Sequence, residues 1–237
     1  MHHAKHIYYH NEHELHGYLA YLEKDDQPKP AVLIAHDWSG QNEFFQQKAQ
    51  VFAELGYVGF AIDMFGLGQT AKTNEAKQAL IQPLVQDRLL LRTRIQAAFD
   101  AACALPEVNS KKIAILGYCF GGLCALDLAR SGADLKGAIS VHGLLHPPID
   151  IPKQDIAAKI LVLHGYDDPM VPPEQLTAFC QEMTTEKVDW QTHAFGLTKH
   201  AFTNPHAHDT GLGLIYSAAA ARRSTQLIDN FLEEIFG

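Results

Sequence analysis

A chain of 237 residues, 47% hydrophobic and 19% charged, has the size and balance of a globular domain with a large core, not of a disordered or fibrous protein. Its formal net charge of −8, with no long basic run, speaks against nucleic acid or an anionic membrane surface as partner. No apolar stretch is long enough to span a bilayer.

Met1-His2-His3-Ala4-Lys5-His6 lacks the apolar centre of a secretory signal, so the expected compartment is the cytoplasm. Tyr8-Tyr9 and Tyr18 to Leu22 flank a polar turn at Asn11-Glu12, which predicts an antiparallel hairpin. Asp25-Asp26-Gln27-Pro28 reads as a loop. Short apolar runs follow at Ala31 to Ala35, Tyr57 to Ile62, Ile113 to Leu116, Ala138 to Val141 and Ile160 to Leu163. Such runs are typical of strands buried on both faces in a parallel sheet, and Val188 to Ala194 adds a strand near the edge. Helical patterns lie between them at Phe44 to Leu55, Val85 to Leu105, Leu123 to Ala129, Pro173 to Met183 and Leu214 to Phe236, with Gly56 and Gly132 where C-caps belong. The alternation predicts a doubly wound, mostly parallel α/β sheet with its site at the carboxyl ends of the strands. Neither a linker nor a repeat interrupts it, so residues 1–237 read as one domain. The less regular stretch Asp63 to Pro83 reads as a flap over the site.

The most specific segment is Gly117-Tyr118-Cys119-Phe120-Gly121-Gly122, between the run Ile113 to Leu116 and the helix after it. A nucleophile flanked by glycines on a tight turn from strand to helix is the elbow of G-x-S-x-G type, here with cysteine at its centre. The turn strains its central residue, and neighbouring strands leave no room for Cβ atoms beside it. No G-x-S-x-G occurs elsewhere, which removes a serine esterase from consideration. Cys103, Cys124 and Cys180 read as small buried hydrophobes, and without CxxC spacing the four cysteines suggest neither a disulfide framework nor a zinc site.

A cysteine nucleophile needs a base, an acid to orient that base, and donors for the oxyanion. In this architecture they follow in the order nucleophile, acid, histidine. After the run Ile160 to Leu163 comes His164-Gly165-Tyr166-Asp167-Asp168-Pro169-Met170-Val171. Asp168 is preferred over Asp167 for its place three residues after Gly165 and three before Val171. Among 14 histidines, His200 in Lys199-His200-Ala201-Phe202 stands in the loop between the last strand and the last helix, as the base should. His206 and His208 read as surface, as do His2, His3, His6, His10, His13 and His16; His142 reads as a pocket wall. The expected oxyanion donors are the backbone N–H groups of Phe120, which also heads a helix whose dipole favours negative charge, and of Trp38 in the loop His36-Asp37-Trp38-Ser39-Gly40. Tyr118, Met170 and Phe202 are further expected pocket residues.

These segments together resemble the dienelactone hydrolase family of α/β-hydrolases over most of the chain. The resemblance implies the α/β-hydrolase fold and a Cys119-His200-Asp168 triad that hydrolyses a small ester or lactone through an acyl-thioester, without cofactor or metal. Well-known members place a glutamate after the first histidine of the oxyanion loop, where it hydrogen-bonds the resting thiol; here that residue is Asp37, one methylene shorter. They also place a substrate-gripping arginine four residues past the catalytic histidine, where this chain has Asn204. Arg88, Arg92 and Arg94 could supply a cation instead, but a place on a helix surface is the expectation for them. A second reading keeps the fold and makes the protein a non-enzymatic ligand binder or thiol redox sensor. A sensor needs a resolving cysteine, and Cys124 lies about 140° round the helix from Cys119.

Overall fold

The computed structural model describes residues 1–23, 27–149 and 151–237; Asp25 and Asp26 of the expected loop lie outside the described residues. The chain opens on the expected hairpin, β1 (His2–His10) with β2 (His13–Tyr21), closed by a turn in which Asn11 takes φ 54°. Strands β3 (Lys29–Ala35), β4 (Val58–Ala61), β5 (Val108–Tyr118), β6 (Gly137–Val141), β7 (Lys159–Gly165) and β8 (Trp190–Phe195) complete an eight-stranded sheet in the order β1-β2-β4-β3-β5-β6-β7-β8. β1 and β2 are antiparallel to each other and β2 to β4; β3 to β8 run parallel.

Side chains leave a strand alternately to its two faces, and β3 shows the consequence. Ala31, Leu33 and Ala35 enter one core, Val32 and Ile34 the other. Helices α3 (Arg88–Cys103), α4 (Phe120–Arg130) and α5 (Pro173–Thr185) cover the first face, α1 (Glu43–Glu54) and α6 (Ala218–Phe236) the second. Each fully buried leucine or phenylalanine in these layers stabilises the fold by roughly 1.5–3 kcal/mol. Among the described residues no helix is long and apolar enough to cross a membrane.

Two helical expectations need correction. Val85 to Leu105 is not one helix: α2 (Asn74–Gln86) ends at Asp87, which leaves the helical conformation (φ −115°, ψ 91°) and caps α3 by accepting the Leu90 N–H at 2.9 Å. The capping carboxylate competes with helix continuation and wins there. Helix α6 starts at Ala218, not Leu214, because Ser217 is its N-cap; Leu214–Ile215 (β10) instead pairs with His208–Asp209 (β9).

Half of the expected flap is fastened down. The buried Asp63 carboxylate accepts the N–H groups of His16 and Gly68 on one oxygen and of Phe65 and Gly66 on the other, all at 2.8–2.9 Å. Thr70 then bridges to Gly40, and the Ala71 N–H reaches the Ser39 carbonyl at 3.0 Å. The rest is α2, capped by Thr73, and it lies over the cavity described next.

Candidate active site

β5 ends at Tyr118 and α4 begins at Phe120, so Cys119 alone makes the turn, at φ 53° and ψ −116°. That strained conformation is held by close packing. A Cβ on Gly117 would meet the Gly121 carbonyl oxygen at 1.8 Å, and one on Gly121 would meet that of Ala35 at 2.1 Å. Both obstacles are backbone and cannot swing away, which is why glycine stands at these positions. As N-cap of α4, Cys119 makes no side-chain capping bond. Among the described residues neither the Phe120 N–H nor the Trp38 N–H has an acceptor. Both residues line the cavity together with Cys119.

The loop after β3 is shaped by its own side chains. His36 is fully buried, with Nδ1–H on the Asp37 carbonyl at 2.6 Å and Nε2 accepting the Met64 N–H at 3.1 Å. Burial lowers its proton affinity, so it is a neutral staple between β3 and the segment after β4. Asp37 lines the cavity but does not hydrogen-bond Cys119 among the described residues. Its Oδ1 accepts the Ser39 N–H at 2.8 Å and the Ser39 hydroxyl. The short side chain turns back on its own loop.

Asp168 and His200 meet from two loops stitched together by the Tyr166 N–H on the Phe195 carbonyl and the Asp167 N–H on the Thr198 carbonyl, both 3.0 Å. Asp168 Oδ2 accepts from His200 Nδ1 at 2.7 Å, its Oδ1 accepts the Met170 N–H at 2.8 Å, and both side chains are fully buried. His200 Nε2 is buried without a hydrogen-bond partner. Burial opposes a charge on this ring, but electrostatic coupling to Cys119, together with the hydrogen bond and the charge of Asp168, pushes it up to about 10. The Ile215 N–H on the His200 carbonyl (3.0 Å) and the Ser217 N–H on that of Phe202 (3.1 Å) hold the histidine loop from behind.

These groups open on a cavity of about 410 Å³. Tyr118, His142 and Met170 line it; Phe202 does not. It is fully buried behind His142, ring centroids 5.1 Å apart, so it supports the wall without forming it. Burial and the neighbouring His200 push His142 well below its usual range, and its Nε2 meets Thr203 Oγ1 at 2.9 Å. A neutral ring pinned there packs against His200 (centroids 5.1 Å apart) without competing for its proton. His206 and His208 are exposed at the mouth, and among the described residues no group of three or more His, Cys, Asp or Glu could hold a metal.

The arginines are neither at the site nor on the surface as a group. Arg88 forms a bidentate pair with the buried Asp127, both bonds 2.6 Å, and Arg94 is buried with a bond to the Met64 carbonyl at 3.0 Å. Arg92, half-buried, reaches the Arg130 carbonyl at 3.0 Å. His10 is also buried, against expectation, because β1 turns it inward at the end of the hairpin. Sequence reasoning missed Lys77 of α2, which lines the cavity with its Nζ 5.1 Å from the centre of the Trp38 ring. The spacing Lys77, Ile81, Val85 on one helical face was the available signal. Cys124 is fully buried, and burial pushes its thiol up, so it offers no resolving thiolate to Cys119.

The model of the dienelactone hydrolase family matches residues 15–236. A dienelactone hydrolase-like promiscuous phosphotriesterase from metagenomic libraries superposes with a TM-score of 0.95 at 36% identity, over 100% of this chain and 99% of that one. An uncharacterized protein of Caenorhabditis elegans is 36% identical over 149 residues, 62% of this chain and 94% of its own length. A Yersinia pestis protein provisionally named a carboxymethylenebutenolidase is 28% identical over 197 residues, 77% of this chain and 73% of its own.

Proposed function

We propose, since the chain belongs to the dienelactone hydrolase family of hydrolases, that it cleaves a small ester or lactone through an acyl-enzyme on Cys119. Cys119 Sγ attacks the acyl carbon while its proton rests on His200 Nε2, and Asp168 keeps the other ring nitrogen protonated. The carbonyl oxygen gathers charge in the tetrahedral intermediate and takes the Trp38 and Phe120 N–H groups. His200 passes its proton to the leaving alkoxide as the C–O bond breaks. Water then attacks the thioester, giving its proton to Nε2, and the thiol is released as the acid departs.

The observation that carries this reading is the His200 imidazole, anchored on Asp168 at 2.7 Å, with its other nitrogen unpartnered and Cys119 lining the same cavity. The cavity wall supports a small, partly apolar acyl group, from Phe44, Ile81, Val85, Leu144 and Met170. Mass spectrometry of the protein quenched during turnover of p-nitrophenyl acetate tests it. An acetyl group on the Cys119 peptide, absent in Cys119→Ala together with turnover, is expected; full turnover by Cys119→Ala would overturn the assignment. The same assay should include an aryl phosphotriester, the reaction for which the metagenomic neighbour is named.

A further inference from the structure

Helix α2 lies over the catalytic cavity on a thin seat. Of its 13 residues only Leu84 is buried, whereas α1, one residue shorter, buries Phe45, Ala49, Phe52 and Ala53. Elements with so few buried apolar groups are the first to loosen. The chain entering α2 is held by the loop after β3. Gly40, at φ 94°, bridges to Thr70, and a Cβ there would meet the Gln69 carbonyl oxygen at 2.3 Å, so the two backbones touch. The Ala71 N–H on the Ser39 carbonyl at 3.0 Å is a second tie.

Lys77, one turn into the helix, makes a third. Its Nζ lies 5.1 Å from the centre of the Trp38 ring, within reach of a cation–π contact. The ammonium has neither an ion pair nor a hydrogen bond among the described residues, and both side chains are half-buried in the cavity wall. Lys77, Ile81 and Val85 follow one another at four-residue spacing, so a single stripe of α2 meets both Trp38 and the apolar part of the wall. The backbone N–H of that same Trp38 is one of the two donors the proposed reaction uses.

We propose that Lys77 is a positioning residue: by lying on the Trp38 ring it latches α2 over the cavity and fixes the Trp38 N–H where the oxyanion forms. This inference rests on the acyl-transfer reading given above. An acyl group against Ile81 and Val85 keeps α2 seated, so latch and donor settle together on a bound substrate. The role asks for no contact between Lys77 and the reacting atoms, and for no charge on the substrate.

The test uses the full chain carrying Trp190→Phe, which leaves Trp38 as its single tryptophan. Acrylamide quenching reports how its ring is seated. Steady-state hydrolysis of p-nitrophenyl acetate, an uncharged ester with nothing for an ammonium to pair with, reports the reaction. In Lys77→Met, Trp38 should quench about twofold more readily, and kcat should fall about tenfold with KM held within about twofold. Lys77→Arg keeps a cation over the ring and should restore both. Unchanged quenching in folded Lys77→Met overturns the proposal, as does an unchanged kcat beside altered quenching. A loss carried by KM would make Lys77 a substrate-binding residue and overturns it too. Failure of the underlying reading shows separately: a parent whose Cys119 takes no acetyl group during turnover removes the reaction, and the positioning role with it, whatever the Trp38 ring does.

Discussion

Replacing Asp168 by asparagine keeps the side chain's shape and removes one of its two acceptor oxygens along with the charge. The carboxylate now serves two donors at once, the Met170 N–H at 2.8 Å and His200 Nδ1–H at 2.7 Å, in a place with no exposed side-chain surface. Asparagine has one oxygen and must choose. If the oxygen stays on His200, the amide NH₂ faces the Met170 N–H, and two donors are buried against each other at a cost of about 1–3 kcal/mol. If it turns to Met170, the NH₂ faces His200 Nδ1, and the ring proton moves to Nε2, the nitrogen that accepts from the thiol in the proposed reaction. A wrong tautomer of this kind lowers kcat by about 10⁴. In either orientation the lost charge weakens the hold on the imidazolium, now pushed up to about 10 in part by Asp168. Steady-state turnover of p-nitrophenyl acetate, with a thermal melt to show folding, should find kcat reduced by about 10³–10⁴. A folded Asp168→Asn variant within about tenfold of the parent would mean that the triad geometry does not govern the reaction.

The raised His200 also makes stability depend on pH. A group held protonated in the folded state stabilises fully below its ordinary value near 6.5, and that contribution drains away as pH climbs toward about 10; urea midpoints should fall over this window more in the parent than in His200→Gln, and parallel curves would contradict it. In Gly121→Ala the new methyl would meet the carbonyl oxygens of Ala35 at 2.1 Å and His36 at 2.7 Å. It should displace the oxyanion loop and cut kcat at least about 100-fold, whereas unchanged kinetics would show that the loop does not supply a donor. Arg88→Met leaves the buried Asp127 carboxylate to Arg130 at 3.6 Å among the described residues, so urea denaturation should show a loss of about 3 kcal/mol, most of it recovered in Arg88→Met/Asp127→Leu. A double variant no more stable than the single one would refute that account.

The sheet was legible in the sequence because each parallel strand is buried on both faces and so carries an uninterrupted apolar run, as Ile113 to Leu116 and Ile160 to Leu163 do. The elbow was legible because packing at 1.8 and 2.1 Å admits only glycine at residues 117 and 121. The order Cys119, Asp168, His200 could be read as well, since topology brings successive strand ends to one rim. What remained hidden depends on where a polar side chain spends its hydrogen bonds. Asp37 could have met the thiol but turns to Ser39; Asp87 breaks a helix that its apolar spacing would have continued. Asp63 gathers four backbone N–H groups from residues 16 to 68, and Arg88 finds Asp127 39 residues away. Burial of apolar surface has a local signature, because every residue of an element answers to the same face. A hydrogen bond or ion pair between distant segments leaves no periodic trace, so only the packed chain decides which donor meets which acceptor.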